Sequence, residues 1–194
     1  MFGMTDVEIE IKVRVQKIGG LVKFLKKSGR FLGQSHQIDD YFTPPHRNFT
    51  AADPITEWLR LRDSDGKFSV TYKFWHMDKN AKSTYCDEYQ TDIADITKLK
   101  KIFQALDFSS LVTVDKIRRT WQYRDYEISL DAVTGLGDYV EIEYRGPKKA
   151  TAAKAIGAQM IGFLKKHGCG KIERDFAGYP HRLLFPHESR FEEV

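Results

Sequence analysis

Charged side chains recur on one face of many extended stretches in this 194-residue chain. These stretches alternate apolar and charged residues, and a period of two places the charged residues on a common face of a strand. The acids of that face are Glu8, Glu10, Glu88, Asp131, Glu141 and Glu143, and the bases are Lys12, Arg14, Arg60, Arg62, Lys73, Lys116 and Arg118. Carboxylate oxygens bind hard divalent ions, whereas arginine and lysine bind phosphate oxygens. The pattern therefore predicts a site for a polyanion and its metal.

A solvated sheet with cross-strand ion pairs is the alternative explanation for these charges. It is the commoner situation for any single strand, because antiparallel sheets frequently expose one face to water. This explanation accounts less well for the strands taken together. Arg60 and Arg62 share one strand and Glu141 and Glu143 share another, whereas a solvated surface would mix the two charges. A dry interior could not hold so many ions, since each unpaired ion costs several kcal/mol to desolvate. We therefore expect a wet, charged tunnel.

The elements that would position these residues are about eight strands and three helices. Strands are predicted at 7–16, 31–43, 56–63, 67–76, 84–92, 111–123, 126–131 and 139–145. Helices are predicted at 18–30, 95–107 and 150–167, where apolar residues recur with helical spacing. Asp65-Gly66 predicts a hairpin turn, and the tail at 171–194 has no clear pattern. The expected fold is α+β, a closed antiparallel β-barrel with the helices packed outside.

Composition restricts the class of protein further. The net charge of +4 comes from 31 basic and 27 acidic residues, an excess too small to demand a nucleic-acid partner. Two cysteines, Cys86 and Cys169, fit a reducing cytoplasm. No apolar run approaches the roughly 20 residues of a membrane helix. We expect a single cytoplasmic domain over residues 1–194, with no nucleic-acid and no membrane partner.

Glu8, Glu10 and Lys12 resemble the N-terminal ExExK signature of the CYTH superfamily, also called triphosphate tunnel metalloenzymes. The order of further residues is also similar to that family. They are Asp39 with Tyr41, the strand from Leu59 to Arg62, Lys73, Glu88, Lys116 with Arg118, and Asp131. The run from Gly135 to Glu143 resembles CyaB-like class IV adenylyl cyclases. The resemblance covers about residues 5–167, and in the tail it is limited to Tyr179, Leu183 and Leu184.

The resemblance implies a divalent cation, Mg or Mn, and a triphosphate substrate. The residues implied to supply or orient the metal ligands are Glu8, Glu10, Asp131, Glu141 and Glu143. Those implied to hold the triphosphate are Lys12, Arg60, Arg62, Lys73, Lys116 and Arg118, with Glu88 beside them. Lys12 and Tyr41 also resemble a catalytic pair that activates water in the hydrolase branch. Relatives similar to the cyclases are often dimers, which makes a homodimer an expectation here.

Two reactions and one non-catalytic role remain open from the sequence. A class IV adenylyl cyclase would convert ATP to cyclic AMP and pyrophosphate, and the run around Gly135 favours that reaction. An inorganic, thiamine or nucleoside triphosphatase would direct water at the terminal phosphorus. Both reactions need charge neutralisation at the transition state. A module that only binds polyphosphate or a nucleotide would gain little from carboxylates placed beside phosphates.

Overall fold

One ten-stranded sheet and four α-helices make up the part of the chain that the computed structural model describes, residues 9–77, 83–147, 153–188 and 191–194. The strands are β1 (Glu10–Val15), β2 (Arg30–Thr43), β3 (Glu57–Ser64), β4 (Lys67–Met77), β5 (Ser83–Ile93), β6 (Ser109–Tyr123), β7 (Tyr126–Val133), β8 (Gly137–Tyr144), β9 (Ile172–Asp175) and β10 (Phe191–Glu193). The helices are α1 (Gly19–Ser28), α2 (Ile96–Ala105), α3 (Ala153–Lys166) and α4 (Gly178–Leu184), with a 3₁₀ turn at Phe49–Ala51. The α+β class is confirmed.

The sheet order is β10-β9-β1-β8-β7-β6-β2-β3-β4-β5, and neighbouring strands are antiparallel. The predicted closure into a barrel is not confirmed, because β1 pairs with β8 on one side and with β9 on the other. Within the described ranges, β5 and β10 are therefore the two edges of the sheet. The predictions of about eight strands and three helices were too low, since the unassigned tail supplies β9, β10 and α4.

The two faces of the sheet have opposite character. The outer face of β1, β7 and β8 is aliphatic, and it packs against α1 and α3 in a continuous core that includes Ile11, Leu130, Ile142, Leu21 and Met160. Each of these side chains is at most 2% exposed, and burial of such a side chain contributes about 1.5–3 kcal/mol. None of the described helices is both long and apolar enough to span a lipid bilayer. The helices thus cover the apolar face and leave the charged face to line the concave side.

The hairpin between β3 and β4 shows how local chemistry sets the register of the charged face. Asp65 and Gly66 have φ values of 50° and 82°, the combination that a tight hairpin turn with the twist of the strands requires. The predicted turn is confirmed. It places Arg62 opposite Ser69 and Arg60 opposite Thr71. A slip by one residue would turn both arginines to the outer face.

Candidate functional site

A cavity of about 1200 Å³ lies on the charged side of the sheet. Apart from Asp131, every predicted site residue within the described part of the chain lines this cavity. They are Glu10, Lys12, Tyr41, Arg60, Arg62, Lys73, Glu88, Lys116, Arg118, Glu141 and Glu143. Glu8 lies outside the described residues. The structure therefore brings together side chains that are more than 100 positions apart in the sequence.

Antiparallel register explains why these side chains meet. Lys12 of β1 lies opposite Glu141 of β8, and Lys73 of β4 lies opposite Glu88 of β5. Directly paired residues of an antiparallel sheet point to the same face. In both pairs the lysine also forms a salt bridge with the carboxylate facing it, at 3.2 Å for Lys12 and 2.9 Å for Lys73. Cations and carboxylates consequently alternate across the strands of one wall.

Asp39 is the centre of the basic part of the wall. Its carboxylate is completely buried and accepts two hydrogen bonds from Arg62, at 2.5 and 2.7 Å. The Nζ of Lys116 lies 3.2 Å from the same carboxylate, and Arg60 lies 3.8 Å away. One buried carboxylate thus holds three cations of the cavity wall. The sequence pattern pointed to Asp39 only through the family resemblance, and it was not selected as a site residue.

Arg60 differs from its neighbour Arg62 in an important respect. One of its guanidinium nitrogens donates to Thr71 at 3.1 Å. Its buried Nε, in contrast, hydrogen-bonds to no group in the described part of the chain. A buried donor without an acceptor costs about 1–3 kcal/mol, so Arg60 is held on the cavity wall at a cost to stability.

Asp131 forms a second buried centre, behind the cavity wall. Its carboxylate accepts two hydrogen bonds from Arg118, at 2.7 and 2.6 Å, and one from the hydroxyl of Tyr179 at 2.8 Å. Arg118 also donates to Glu141 at 3.2 Å. The side chain of Asp131 is fully buried, with both oxygens engaged. This geometry suits a residue that orients Arg118, and a direct metal-binding role for Asp131 stays a prediction.

The acidic part of the wall lies where β1, β8 and β7 run side by side. Glu10 is opposite Glu143, and Glu143 is opposite Glu127, a cavity residue that the sequence analysis did not select. Arg145 contacts Glu143 at 2.7 Å and Glu127 at 3.5 Å. Three carboxylates in one row repel one another, so the row favours cations. Glu127 could have been found from its spacing, since it shares a strand face with Asp131.

The carboxylates of this acidic part of the wall are ligands of the type that the predicted metal, Mg or Mn, prefers. Among the described residues, no three His, Cys, Asp or Glu side chains converge closely enough to hold a metal ion. Glu10, Glu141 and Glu143 nevertheless offer carboxylate oxygens, the donors that Mg and Mn prefer. Glu8 would add a fourth carboxylate two residues before Glu10 on the same strand pattern. The metal site itself stays a prediction.

Burial and charge together shift the pKa values of the wall. Burial lowers the pKa of Lys116 to about 7; the charge of Asp39 opposes that shift, while Arg118 and Arg62 reinforce it. Burial alone would also lower the pKa of Lys12, but Glu141 and Glu10 outweigh it and raise that pKa above its ordinary value. Lys12 is therefore a permanent cation, whereas Lys116 changes its charge near neutral pH.

The predicted catalytic pair, Lys12 and Tyr41, lines the same cavity. Lys12 is paired with Glu141. Tyr41 packs edge-on against Trp58, with 5.5 Å between the ring centres, and burial raises the pKa of its phenol. Tyr41 is thus a neutral hydrogen-bonding group at ordinary pH. The role of the pair in activating water stays a prediction.

The comparison with known protein families decides the affiliation of the chain. The family model described as the CYTH domain matches residues 6–167. The chain belongs to the CYTH family.

Relatives of this CYTH chain support the same affiliation. A protein of Methanocaldococcus jannaschii named "Putative adenylate cyclase" is 39% identical over 138 residues, which are 71% of this chain and 76% of the relative. A solved structure from Pyrococcus horikoshii has a TM-score of 0.73 at 24% identity, covering 92% of this chain and 99% of that one. A Hippeastrum structure has a TM-score of 0.61 at 18% identity, covering 89% and 91%. Both structures share the fold of this chain.

Tyr179 is a residue of this CYTH protein that lies beyond the family match. It sits in α4, and its ring faces the Nζ atoms of Lys12 and Lys116 at 4.7 and 5.2 Å from the ring centre. Arg182 holds α4 in place through Asp175, at 2.8 and 3.1 Å. The sequence analysis matched Tyr179 only loosely, because a tail without clear periodicity gives no signal for a contact with distant strands.

Proposed function

We propose that this CYTH protein is a divalent-metal-dependent adenylyl cyclase, which converts ATP to cyclic AMP and pyrophosphate in the cavity. The observation that carries the proposal is the cavity wall, on which the cations Arg60, Arg62 and Lys116 lie beside carboxylates. Such cations bind phosphate oxygens. The 39%-identical relative named "Putative adenylate cyclase" supports this reaction.

The mixture of charges favours an enzyme over a simple anion receptor. Lys12 and Arg118 are both paired with Glu141. A triphosphate that bound these cations alone would be repelled by that carboxylate. Glu8, Glu10, Glu141 and Glu143 would hold a divalent cation, which would supply the missing positive charge and lower the pKa of a hydroxyl bound to it. The carboxylates thus favour an anion accompanied by a metal over a bare anion.

In the cyclase reaction, the side chains hold the triphosphate and stabilise the charge that moves. The ribose 3′-oxygen forms a bond to the α-phosphorus, while the bond from that phosphorus to the bridging oxygen breaks. Pyrophosphate leaves and the hydroxyl proton passes to water. Arg60, Arg62 and Lys116 donate hydrogen bonds to phosphate oxygens, and charge grows on the leaving pyrophosphate. Asp39 and Asp131 keep the donors in place, since each holds an arginine by two hydrogen bonds.

A triphosphatase is the second candidate, and a specific comparison favours it. The Hippeastrum structure is that of a "putative adenylyl cyclase" described as having a dominant triphosphatase activity. In this reaction water attacks the terminal phosphorus, the bond to the bridging oxygen breaks, and orthophosphate is released. Lys12 and Tyr41 would orient the water, and the same basic wall would hold the remaining phosphates. The two reactions differ in the phosphorus that is attacked.

Phosphorus NMR distinguishes the candidates directly. The protein is incubated with ATP, inorganic triphosphate or thiamine triphosphate, in the presence of Mg, Mn or a chelator. Pyrophosphate and cyclic AMP from ATP support the cyclase, and orthophosphate supports the triphosphatase. Metal-dependent binding without any product would instead indicate a sensor of triphosphates. Absence of both binding and turnover would refute the proposal.

Arg60→Ala gives the proposal a residue-level test with a matched control. Removal of one charge-stabilising donor typically lowers kcat by about 10²–10³-fold. Since the substitution also removes a buried donor without an acceptor, the melting temperature should stay equal or rise. The control is Arg119→Ala, on the outer face of β6 opposite Gln34, which should leave kcat unchanged. Loss of stability with unchanged turnover in Arg60→Ala would refute the assignment.

A further inference from the structure

The inner face of β4 and β5 changes from charged to apolar beyond the pair of Lys73 and Glu88. These two side chains lie opposite one another and form a 2.9 Å salt bridge. The next inward-facing pair along the strands is Trp75 opposite Cys86, and Met77 follows on β4. Trp75, Met77 and Cys86 all line the large cavity and are only partly buried. The cavity therefore has an apolar end directly beside its cations.

Apolar residues at the start of β3 and in the segment before it extend this apolar end. Pro54, Ile55 and Trp58 also line the cavity, and the last two are 8% and 7% exposed. The backbone N–H of Trp75 donates to the carbonyl of Thr56 at 2.8 Å, which ties this segment to β4. The apolar walls are thus held in place by strand pairing and by a loop contact. Trp75 packs against the cluster that contains Ile55 and Trp58, so together they offer one apolar surface against which a planar group can lie.

The spacing between the cations and Trp75 fits a substrate with two chemically different parts. Residues two apart on a strand are about 7 Å from one another, a distance comparable to the length of a ribose. The Nζ of Lys73 lies 5.9 Å from the centre of the Trp75 ring. A phosphate held at Lys73 would therefore bring an attached heterocycle against the indole. Stacking on an aromatic side chain tolerates every base, because every base has a flat π-face.

We propose that the apolar end formed by Trp75, Met77 and Cys86 binds the base of a nucleoside triphosphate. The inference rests on the proposed function and specifies its substrate class, since inorganic triphosphate has no group that could occupy this end. It also predicts modest discrimination between ATP and GTP, because the contact is a stacking contact. The apolar end, and not the basic wall, would then select organic over inorganic triphosphates.

Trp75→Ala tests this separation of roles by affinity. Loss of one base-stacking contact weakens binding by about 5- to 150-fold, the equivalent of 1–3 kcal/mol. We expect ATP binding, measured by calorimetry in the presence of Mg, to weaken within that range. Binding of inorganic triphosphate should change by less than about twofold. Phe74→Ala on the outer face of β4, where Phe74 packs against His76, is the matched control and should change neither affinity.

Alkylation of Cys86 tests the same inference without any substitution. Cys86 is partly buried on the cavity wall, whereas Cys169 is 0% exposed and serves as an internal reference. Burial raises the pKa of the Cys169 thiol to about 11, which keeps it unreactive in the folded protein. Mass spectrometry after treatment with a thiol reagent should show that ATP slows alkylation of Cys86. Inorganic triphosphate at equal occupancy should leave the alkylation rate unchanged.

The two experiments separate failure of this inference from failure of the proposed function. If inorganic triphosphate binds and ATP binds equally well to Trp75→Ala and to the wild type, the base-binding end is refuted. Equal protection of Cys86 by both ligands would refute it as well. If neither triphosphate binds the wild-type protein in any metal condition, the proposed function itself fails. A folded Trp75→Ala variant with selective loss of ATP affinity supports both.

Discussion

Replacing Asp39 by Asn should destabilise the ligand-free protein strongly while making it more responsive to anions. Asn has nearly the shape of Asp but carries no charge, so the change is mainly electrostatic. The carboxylate that is lost is completely buried and neutralises Arg62, Lys116 and, at 3.8 Å, Arg60. Its removal leaves three neighbouring cations without their common counter-ion. The same cations would then attract a polyanion more strongly.

The magnitude follows from the burial of the ion pair. Breaking a buried ion pair by removing one partner costs about 3–5 kcal/mol, because the remaining charge stays desolvated. For a chain of this size, each kcal/mol lowers the melting temperature by about 2–4 °C, so Asp39→Asn should melt roughly 6–20 °C lower. Saturation with inorganic triphosphate at about 100 times Kd contributes about 2.7 kcal/mol to the wild type. It should contribute more to the variant, whose cations lack Asp39.

The pH dependence of the difference gives an independent check. Burial would raise the pKa of Asp39, but the hydrogen bonds from Arg62 and the charges of Lys116 and Arg60 hold it well below its ordinary value. A carboxyl with a depressed folded-state pKa stabilises the protein above its unfolded pKa and loses that contribution as the pH falls through the folded pKa. The Asp39 contribution to the stability gap between wild type and Asp39→Asn should therefore shrink as the pH falls below about 4, while Lys116, whose pKa Asp39 raises, adds a second pH dependence near neutral pH.

Differential scanning calorimetry with and without inorganic triphosphate measures both effects. Asp40→Asn is the matched control, because Asp40 is the next residue of β2 and pairs with Lys100 and Thr113 on the other face. That half-exposed ion pair should contribute at most about 1 kcal/mol. Two results would contradict this prediction: a melting temperature of Asp39→Asn within 2 °C of the wild type, or a stabilisation by triphosphate no larger than that of the wild type. Either would mean that the three cations do not depend on Asp39.

Two further predictions concern the charge state of the wall and its metal. Burial lowers the pKa of Lys116 to about 7; Asp39 opposes this shift, and Arg118 and Arg62 reinforce it. Lys116 is therefore mostly neutral at pH 8, and triphosphate binding at that pH should be accompanied by the uptake of close to one proton. Calorimetry in two buffers with different ionisation enthalpies measures this uptake, which should disappear in Lys116→Met. Because the folded pKa lies below the unfolded value, Lys116→Met should also remove part of the rise in unfolding free energy between about pH 7 and 10.5. Glu10→Gln should weaken Mn²⁺ binding, measured by electron paramagnetic resonance, by about tenfold or more; unchanged Mn²⁺ affinity would exclude Glu10 from the ligands.

Local chemistry made much of the fold and wall predictable. The alternation in β1 and β3 identifies strands and assigns Lys12 and Arg60 to the charged face, because side chains on a strand alternate strictly. Asp65-Gly66 predicts its hairpin, because that turn needs residues that tolerate positive φ. The family resemblance then added the order of the charged residues. These signals lie within a few residues of one another, so a single sequence contains them.

Contacts between distant segments were decided only by the tertiary structure. Nothing in the spacing of Asp39 and Asp131 shows that they are buried, each holding an arginine from a neighbouring strand. Nothing in the tail shows that Tyr179 reaches Asp131, 48 residues away. The edges of the sheet were also missed, because strand order depends on which segments pack together. The sequence by itself determined which residues are charged and which face they share, while the tertiary structure decided their neighbours, since burial and pairing arise only when remote strands meet.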